Sequence, residues 1–236
     1  MGSTPDLASE AAPSRTGLAA RADAASARGE HDLALRLWSE ARSRFPDAPQ
    51  PWLREAEVLR DLHRLDEAEV VLEEAVSRFP DDFWLARTRA LAARTMGDDV
   101  EAYTRCRALR QAFPDNPAAH AAFVHLLLDL KQVAAAEAEA AASLALFPDF
   151  AWLRHMHARC AEEAGDTAAA AARWTELLVL DPHHESAYAP AVRALLGAGR
   201  PDEAAGIARE VLRLFPNDSA TRDAWTEISK LTCSSV

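Results

Sequence analysis

The sequence predicts an all-α chain of six tandem helical hairpins closed by one carboxyl-terminal helix. Three observations carry that prediction. Proline recurs every 34 residues, at Pro46, Pro80, Pro114, Pro148, Pro182 and Pro216. Alanine keeps the same step without exception, at Ala34, Ala68, Ala102, Ala136, Ala170 and Ala204. No segment alternates apolar and polar residues with the period of two that a half-buried strand shows. A strict period of this length means repeated supersecondary units that bury their faces against neighbours, not around one central core.

Six units follow in order: 15–48 from Arg15, 49–82 from Pro49, 83–116 from Phe83, 117–150 from Pro117, 151–184 from Ala151 and 185–218 from Glu185. Each begins with a helix carrying one small residue, in turn Ala22, Ala56, Ala90, Val124, Ala158 and Val192. Small side chains at a helix crossing let the two backbones approach closely. A turn residue comes next, Gly29, His63, Gly97, Lys131, Gly165 and Gly199, and glycine takes the left-handed conformation that ends a helix without steric cost. His63 and Lys131 depart from glycine, so those two turns are expected to be strained or differently shaped. The second helix then carries the alanine of the column and runs into Phe-Pro in five units and Asp181-Pro182 in the fifth. The proline lacks a backbone donor and stops the helix. Asp47, Asp81, Asp115, Asp149 and Asn217, which follow the prolines, are expected to cap the next helix.

Past the last proline, Ser219 to Leu231 reads as a half-unit whose Trp225, Ile228 and Leu231 recur at helical spacing. Such a lone helix caps the apolar end of a repeat stack. Residues 1–14 and 232–236 are expected to be disordered. A second period of 68 lies over the first. Trp38, Cys106 and Trp174 share one column of the odd units, and Phe79-Pro80-Asp81-Asp82-Phe83-Trp84-Leu85 is echoed by Phe147-Pro148-Asp149-Phe150-Ala151-Trp152-Leu153.

This pattern of a small residue in the first helix, alanine in the second and a closing proline resembles the tetratricopeptide-repeat family. The resemblance covers residues 15–218 and implies a right-handed α-α superhelix whose first helices line a concave surface. The 68-residue alternation is similar to that of bacterial segments found beside or fused to glycosyltransferases and sulfotransferases of surface-polymer synthesis.

Composition narrows the function further. A formal net charge of −11 argues against a general nucleic-acid binder, which needs a dense Lys/Arg surface. Neither a signal peptide at Met1 to Ser14 nor a run of 18 apolar residues is visible, so no membrane insertion and a cytoplasmic location are expected. Three cysteines, Cys106, Cys160 and Cys233, are an odd number without paired spacing and suit reduced thiols. The ending Cys233-Ser234-Ser235-Val236 lacks the aliphatic residues of a prenylation box.

Nor does the chain carry an enzyme's constellation. It has no Gly-rich phosphate loop, Gly-x-Ser-x-Gly or His-Glu-x-x-His. His155 and His157 are two apart on a helix and point to different sides, so they cannot share a metal. His183-His184 falls in the turn after Pro182, where solvated polar residues belong. No catalytic residue, metal or cofactor is expected.

The tryptophans divide. Trp38 and Trp174 sit in the second-helix column and read as core. Trp84 and Trp152 stand at the start of first helices, where two readings stay open: they line the concave surface, or they staple the inter-unit turns against Phe83 and Phe150. On the concave reading, Trp84, Arg87, Leu91 and Arg94 share a face with His125 and Leu128, then with Trp152, His155, Arg159 and Arg193, while Asp23, Glu57 and Asp61 make the first two units acidic. An arginine can lie on an aromatic ring and fork onto a carboxylate. This strip therefore suits a protein or peptide partner that is acidic with apolar anchors. Arg42, on a second helix, is expected to face outward. Tetratricopeptide domains that clamp chaperone tails use lysine and asparagine at neighbouring concave positions, where this chain has Ala19 and Asp23, Leu53 and Glu57, Arg87 and Leu91; the clamp is absent. The reading is a non-enzymatic adaptor scaffold that holds a polypeptide in the concave groove, the alternative being an accessory module of a bacterial surface-glycan transferase.

Overall fold

In the computed structural model, residues 14–215 are described. Twelve α-helices occupy them, in six successive pairs: α1 (Arg15–Ala27) and α2 (His31–Arg44), α3 (Pro49–Asp61) and α4 (Leu65–Arg78), α5 (Phe83–Thr95) and α6 (Asp99–Ala112), α7 (Pro117–Asp129) and α8 (Val133–Leu146), α9 (Ala151–Glu163) and α10 (Thr167–Leu180), α11 (Tyr188–Gly197) and α12 (Pro201–Leu214). A 3-10 turn at Glu185–Ala187 leads into α11. The helix expected at Ser219–Leu231, and the ends expected to be disordered, lie outside the described residues apart from Ser14, which caps α1 by accepting from Gly17 N–H.

Each pair is held by the two small-residue columns. Ala22, Ala56, Ala90, Val124, Ala158 and Val192 are at most 2% exposed, as are the six alanines of the second helices. Large side chains fill the space around the crossings, among them Trp38 and Trp174, which are core residues as expected. The helices divide between Arg105 and Cys106, inside α6, into two compact units. In the first, Leu18, Ala22, Leu37 and Trp38 form one cluster and Trp52, Leu59, Leu72 and Leu85 the next. In the second, Trp174, Leu177, Tyr188, Leu195 and Val211 share a core.

The turn inside every pair has one geometry. The residue two beyond each first helix has positive φ, between 57° at His63 and 80° at Gly97. The next amide donates back five residues: Glu30 N–H to Ala25 O, Arg64 to Leu59, Asp98 to Ala93, Gln132 to Leu127, Asp166 to Ala161 and Arg200 to Leu195, at 2.9 to 3.1 Å. This is the Schellman closure. His63 and Lys131 thus do not reshape their turns; they adopt the glycine conformation, at a cost of roughly 1 kcal/mol each for a side chain in the left-handed region.

Between pairs, the proline is the second residue of a β-turn. Ala48 N–H donates to Phe45 O, Asp82 to Phe79, Asn116 to Phe113, Phe150 to Phe147 and His184 to Asp181, at 3.1 to 3.2 Å. For Asp47, Asp81, Asp115 and Asp149 the expectation that the residue after proline caps the next helix is therefore corrected, while Asn217 lies outside the described residues. The turn's hydrogen bond places that residue third in the turn and the cap fourth. Asp82 and Asn116 do the capping, accepting from Leu85 and Ala118 N–H, while Asp47 pairs with Arg78 at 2.9 Å. The proline carbonyl is satisfied in three pairs by the side chain six residues on: His120 Nε2–H, Arg154 Nε–H and Tyr188 O–H donate to Pro114, Pro148 and Pro182 at 2.8 to 2.9 Å.

Arg42 does not face outward. Its Nε lies 2.6 Å from the carboxylate of Glu55, which is 5% exposed, and its guanidinium sits 4.7 Å from the Trp52 ring centroid. Burial pushes the Glu55 carboxyl above its ordinary range while Arg42 pulls it down. Removing the cation strands a buried carboxylate. Arg42→Ala is expected to cost on the order of 3 kcal/mol in urea unfolding, and Arg42→Ala with Glu55→Gln to recover most of it; equal losses in both would show that the pair is not what Glu55 requires.

Candidate partner-binding faces

In the first of the two compact units, α5 presents the predicted aromatic and basic residues. The Asp82 cap fixes the start of α5, and Leu85, wholly buried, locks its rotation, so Trp84 points outward and is 57% exposed. Its ring stands edge-on to Phe83 at 5.2 Å, and the Arg87 guanidinium lies 5.8 Å from its centroid. The indole touches the turn residue Phe83 yet keeps most of its surface in water. Arg87 makes no ion pair among the described residues. Leu91 is half-buried one turn on, and Arg94 closes the helix in an ion pair with Asp99 at 3.5 Å. Upstream, Asp23, Glu57 and Asp61 are engaged by Arg54 and Arg60 at 2.9 to 3.8 Å.

In the second compact unit the residues divide. Trp152 is 42% exposed and Arg159, half-buried, makes no ion pair among the described residues. Arg193 is exposed, 4.0 Å from Glu162, and His125 is within 3.9 Å of Asp129. Leu128 is 1% exposed and belongs to the core. His155 is corrected too. It is 7% exposed, its ring stacked on Trp152 at 4.6 Å and edge-on to Trp174 at 4.8 Å. It supports the indole from beneath and cannot itself grip a ligand.

His184 is not the solvated turn residue expected, because the β-turn at Pro182 directs it inward while His183 stays exposed. His155 Nδ1 and His184 Nε2 are 2.9 Å apart, and His184 Nδ1 is 3.3 Å from Asp181 Oδ2. The carboxylate only accepts, so His184 donates from Nδ1 and its Nε2 accepts the His155 Nδ1–H. Burial, with the neighbouring His184, Arg159 and His125, lowers the His155 pKa to about 4. His155 is therefore held in the neutral state.

A second arrangement, equally absent from sequence reasoning, repeats every 68 residues. Glu69 bridges Arg89 and Arg105 at 3.0 and 2.8 Å, and Glu137 bridges His157 and Arg173 at 3.0 and 2.7 Å. Arg105 and Arg173 each also donate to the backbone carbonyl of residue 89 or 157. Each bridge ties two second helices to the first helix between them. The Cys160 thiol beside it is buried and pushed up to about 12, so it is no nucleophile. Among the described residues, no group of three or more His, Cys, Asp or Glu is placed to hold a metal ion, and no helix is long and apolar enough to cross a membrane.

The family model "Tetratricopeptide repeat" matches residues 25–94 and 161–224. No curated protein matches the chain. Among solved structures, a tetratricopeptide repeat protein of Parabacteroides merdae is 15% identical with a TM-score of 0.65, over 92% of this chain and 86% of its own. Yeast Tom70 gives 0.74 at 15% identity, over 86% of this chain and 43% of its own. YrrB, described as a tetratricopeptide protein with an unusual peptide-binding site, gives 0.53 at 15% identity, over 80% and 97%. At these identities the likeness is one of fold.

His155 has a folded pKa below its unfolded value near 6.5, so its contribution is complete above pH 6.5 and is lost as pH falls toward 4. Allowing for partial solvent screening, acidification from pH 7 to 4.5 is expected to remove about 2 kcal/mol that a His155→Gln variant does not lose. Parallel pH profiles of unfolding free energy for parent and variant would contradict this.

Proposed function

The chain belongs to the tetratricopeptide-repeat family, and from that premise we propose that it is a non-enzymatic scaffold that holds a partner polypeptide against its first helices. The family makes a protein-interaction role the general expectation; the faces give it chemistry. The observation that carries the reading is the exposed Trp84 indole with Arg87 beside it and, among the described residues, no carboxylate in an ion pair with that cation. Large aromatic surface left in water next to a charge without a counter-ion fits a ligand that brings both an apolar side chain and an acid. In the second compact unit Trp152 is exposed with His155, at the position equivalent to Arg87, packed under the indole, and Arg159 lies about two helical turns beyond Trp152 along α9. The peptide-binding site attributed to YrrB, a protein of the same fold, agrees with an extended polypeptide as ligand.

Most other arginines are already committed to carboxylates within the chain, such as Arg54 to Glu57 and Arg105 to Glu69, whereas Arg87 and Arg159 make no ion pair among the described residues and can fork onto a ligand acid. A role as an accessory module of a surface-glycan transferase has no support in the family match or in these structures.

The test is affinity capture from a cell extract with mass spectrometry, followed by titration of the captured partner against variants. Arg87→Glu or Arg159→Glu is expected to weaken binding at least about thirtyfold, near 2 kcal/mol, with the helical circular-dichroism spectrum and melting temperature nearly unchanged. Arg36→Glu, exposed on α2, is expected to leave affinity unaltered. Equal affinities across all three variants would place the partner surface elsewhere.

A further inference from the structure

We infer that the outer face of α8 and α10 is a self-association surface, occupied by the same face of a second copy running antiparallel. The argument begins with charge. Asp, Glu, Lys and Arg make up 27% of the chain, and α4 follows that composition, exposing Asp66, Glu67, Glu73, Glu74 and Arg78. α8 does not: from Ala134 to Leu146 its exposed positions are six alanines and Leu146. Its two glutamates are engaged, Glu137 by Arg173 and Glu139 by Arg110.

On α10, Val179 and Leu180 remain 75% and 55% exposed. The one exposed charge of that helix, Glu176, is held by Arg154 at 2.6 Å. Exposed branched apolar side chains beside an uncharged helix face mark a contact surface.

Between the amino-terminal ends of α8 and α10 lies a cavity of about 460 Å³, lined by Val133, Ala134, Cys160, Ala161 and Ala169. The charges at its edge are satisfied: Glu137 pairs with Arg173, and Asp166 caps Ala169 N–H at 2.9 Å. Leu180 lies three helical turns beyond Ala169 on the same stripe of α10, about 16 Å away. Knob and hole therefore stand at opposite ends of one face. A two-fold axis normal to that face sets each copy's Leu180 over the other's cavity, the isologous arrangement in which a single patch complements itself.

Charge also selects the occupant. A chain of net charge −11 repels its own copies over most of its surface, whereas here Glu137, Glu139 and Glu176 are paired with arginines and Asp166, engaged by the Ala169 N–H, is the one carboxylate at the cavity edge without a cation. Two helix faces about 21 Å long and about 10 Å wide present roughly 400 Å² per copy, below the roughly 600 Å² per partner of the smallest standard interfaces, so the dimer is transient and concentration-dependent.

Sedimentation velocity on the full chain, from about 5 μM to about 500 μM, tests this against the affinities typical of small interfaces. The mass is expected to rise from monomer toward dimer over that range, and Leu180→Glu to weaken association at least about tenfold with unchanged circular dichroism and melting. In a Cys233→Ser background, Ala169→Cys with Leu180→Cys is expected to form an intermolecular disulfide on mild oxidation, because only the antiparallel arrangement brings the two positions together. A monomer at every concentration overturns the inference and leaves the face to a foreign partner. A dimer that Leu180→Glu does not weaken, or that the cysteine pair does not link, overturns it as well.

Discussion

Close approach of two helix backbones at a pair of small residues is the constraint on which the rest of this structure depends. Each first helix brings Ala or Val and each second helix brings Ala to its crossing, and these residues are almost wholly buried. Because the crossing is narrow, the large side chains are displaced to its flanks, where Trp38, Leu72, Trp174 and Leu195 fill the space. The turns follow from the same demand. A second helix can return against the first within so short a span only if the chain reverses at once, which the left-handed residue and its five-residue back-bond accomplish six times over.

On this uniform frame the side chains diverge with a longer period, and the divergence is where function resides. Glu69 and Glu137 each tie two second helices to the first helix between them, on the side away from the exposed indoles. The first-helix faces are then free to differ. Trp84 is backed by Phe83, whereas Trp152 is backed by a neutral, buried imidazole, itself held by His184 and Asp181. The same exposed indole is thus presented on different supports.

The architecture was legible in the sequence because it depends on residues that recur in every unit. Columns of Pro, Ala and Gly record local backbone requirements that any copy must meet. What escaped was set by single pairs between columns. Arg42 and Glu55 are 13 residues apart on different helices, and His155 and His184 are 29 apart, separations that no within-unit pattern flags. Their consequence was to misplace Arg42 and His155 on the surface. The helix caps were misjudged by one residue because the β-turn hydrogen bond, invisible in a list of Asp and Asn, decides which residue is fourth. His63 and Lys131 show the opposite case, a sequence exception to which the backbone makes no concession.

The account stands on the claim that the small residue at each crossing is needed for its size and not for its helix propensity. Urea unfolding of Ala170→Trp against Ala172→Trp tests this most directly, since both lie on α10 but Ala170 is 1% exposed at a crossing and Ala172 faces solvent. The predicted result is a loss on the order of 3 kcal/mol for Ala170→Trp and a change within about 0.5 kcal/mol for Ala172→Trp. Equal stability of the two variants would contradict it.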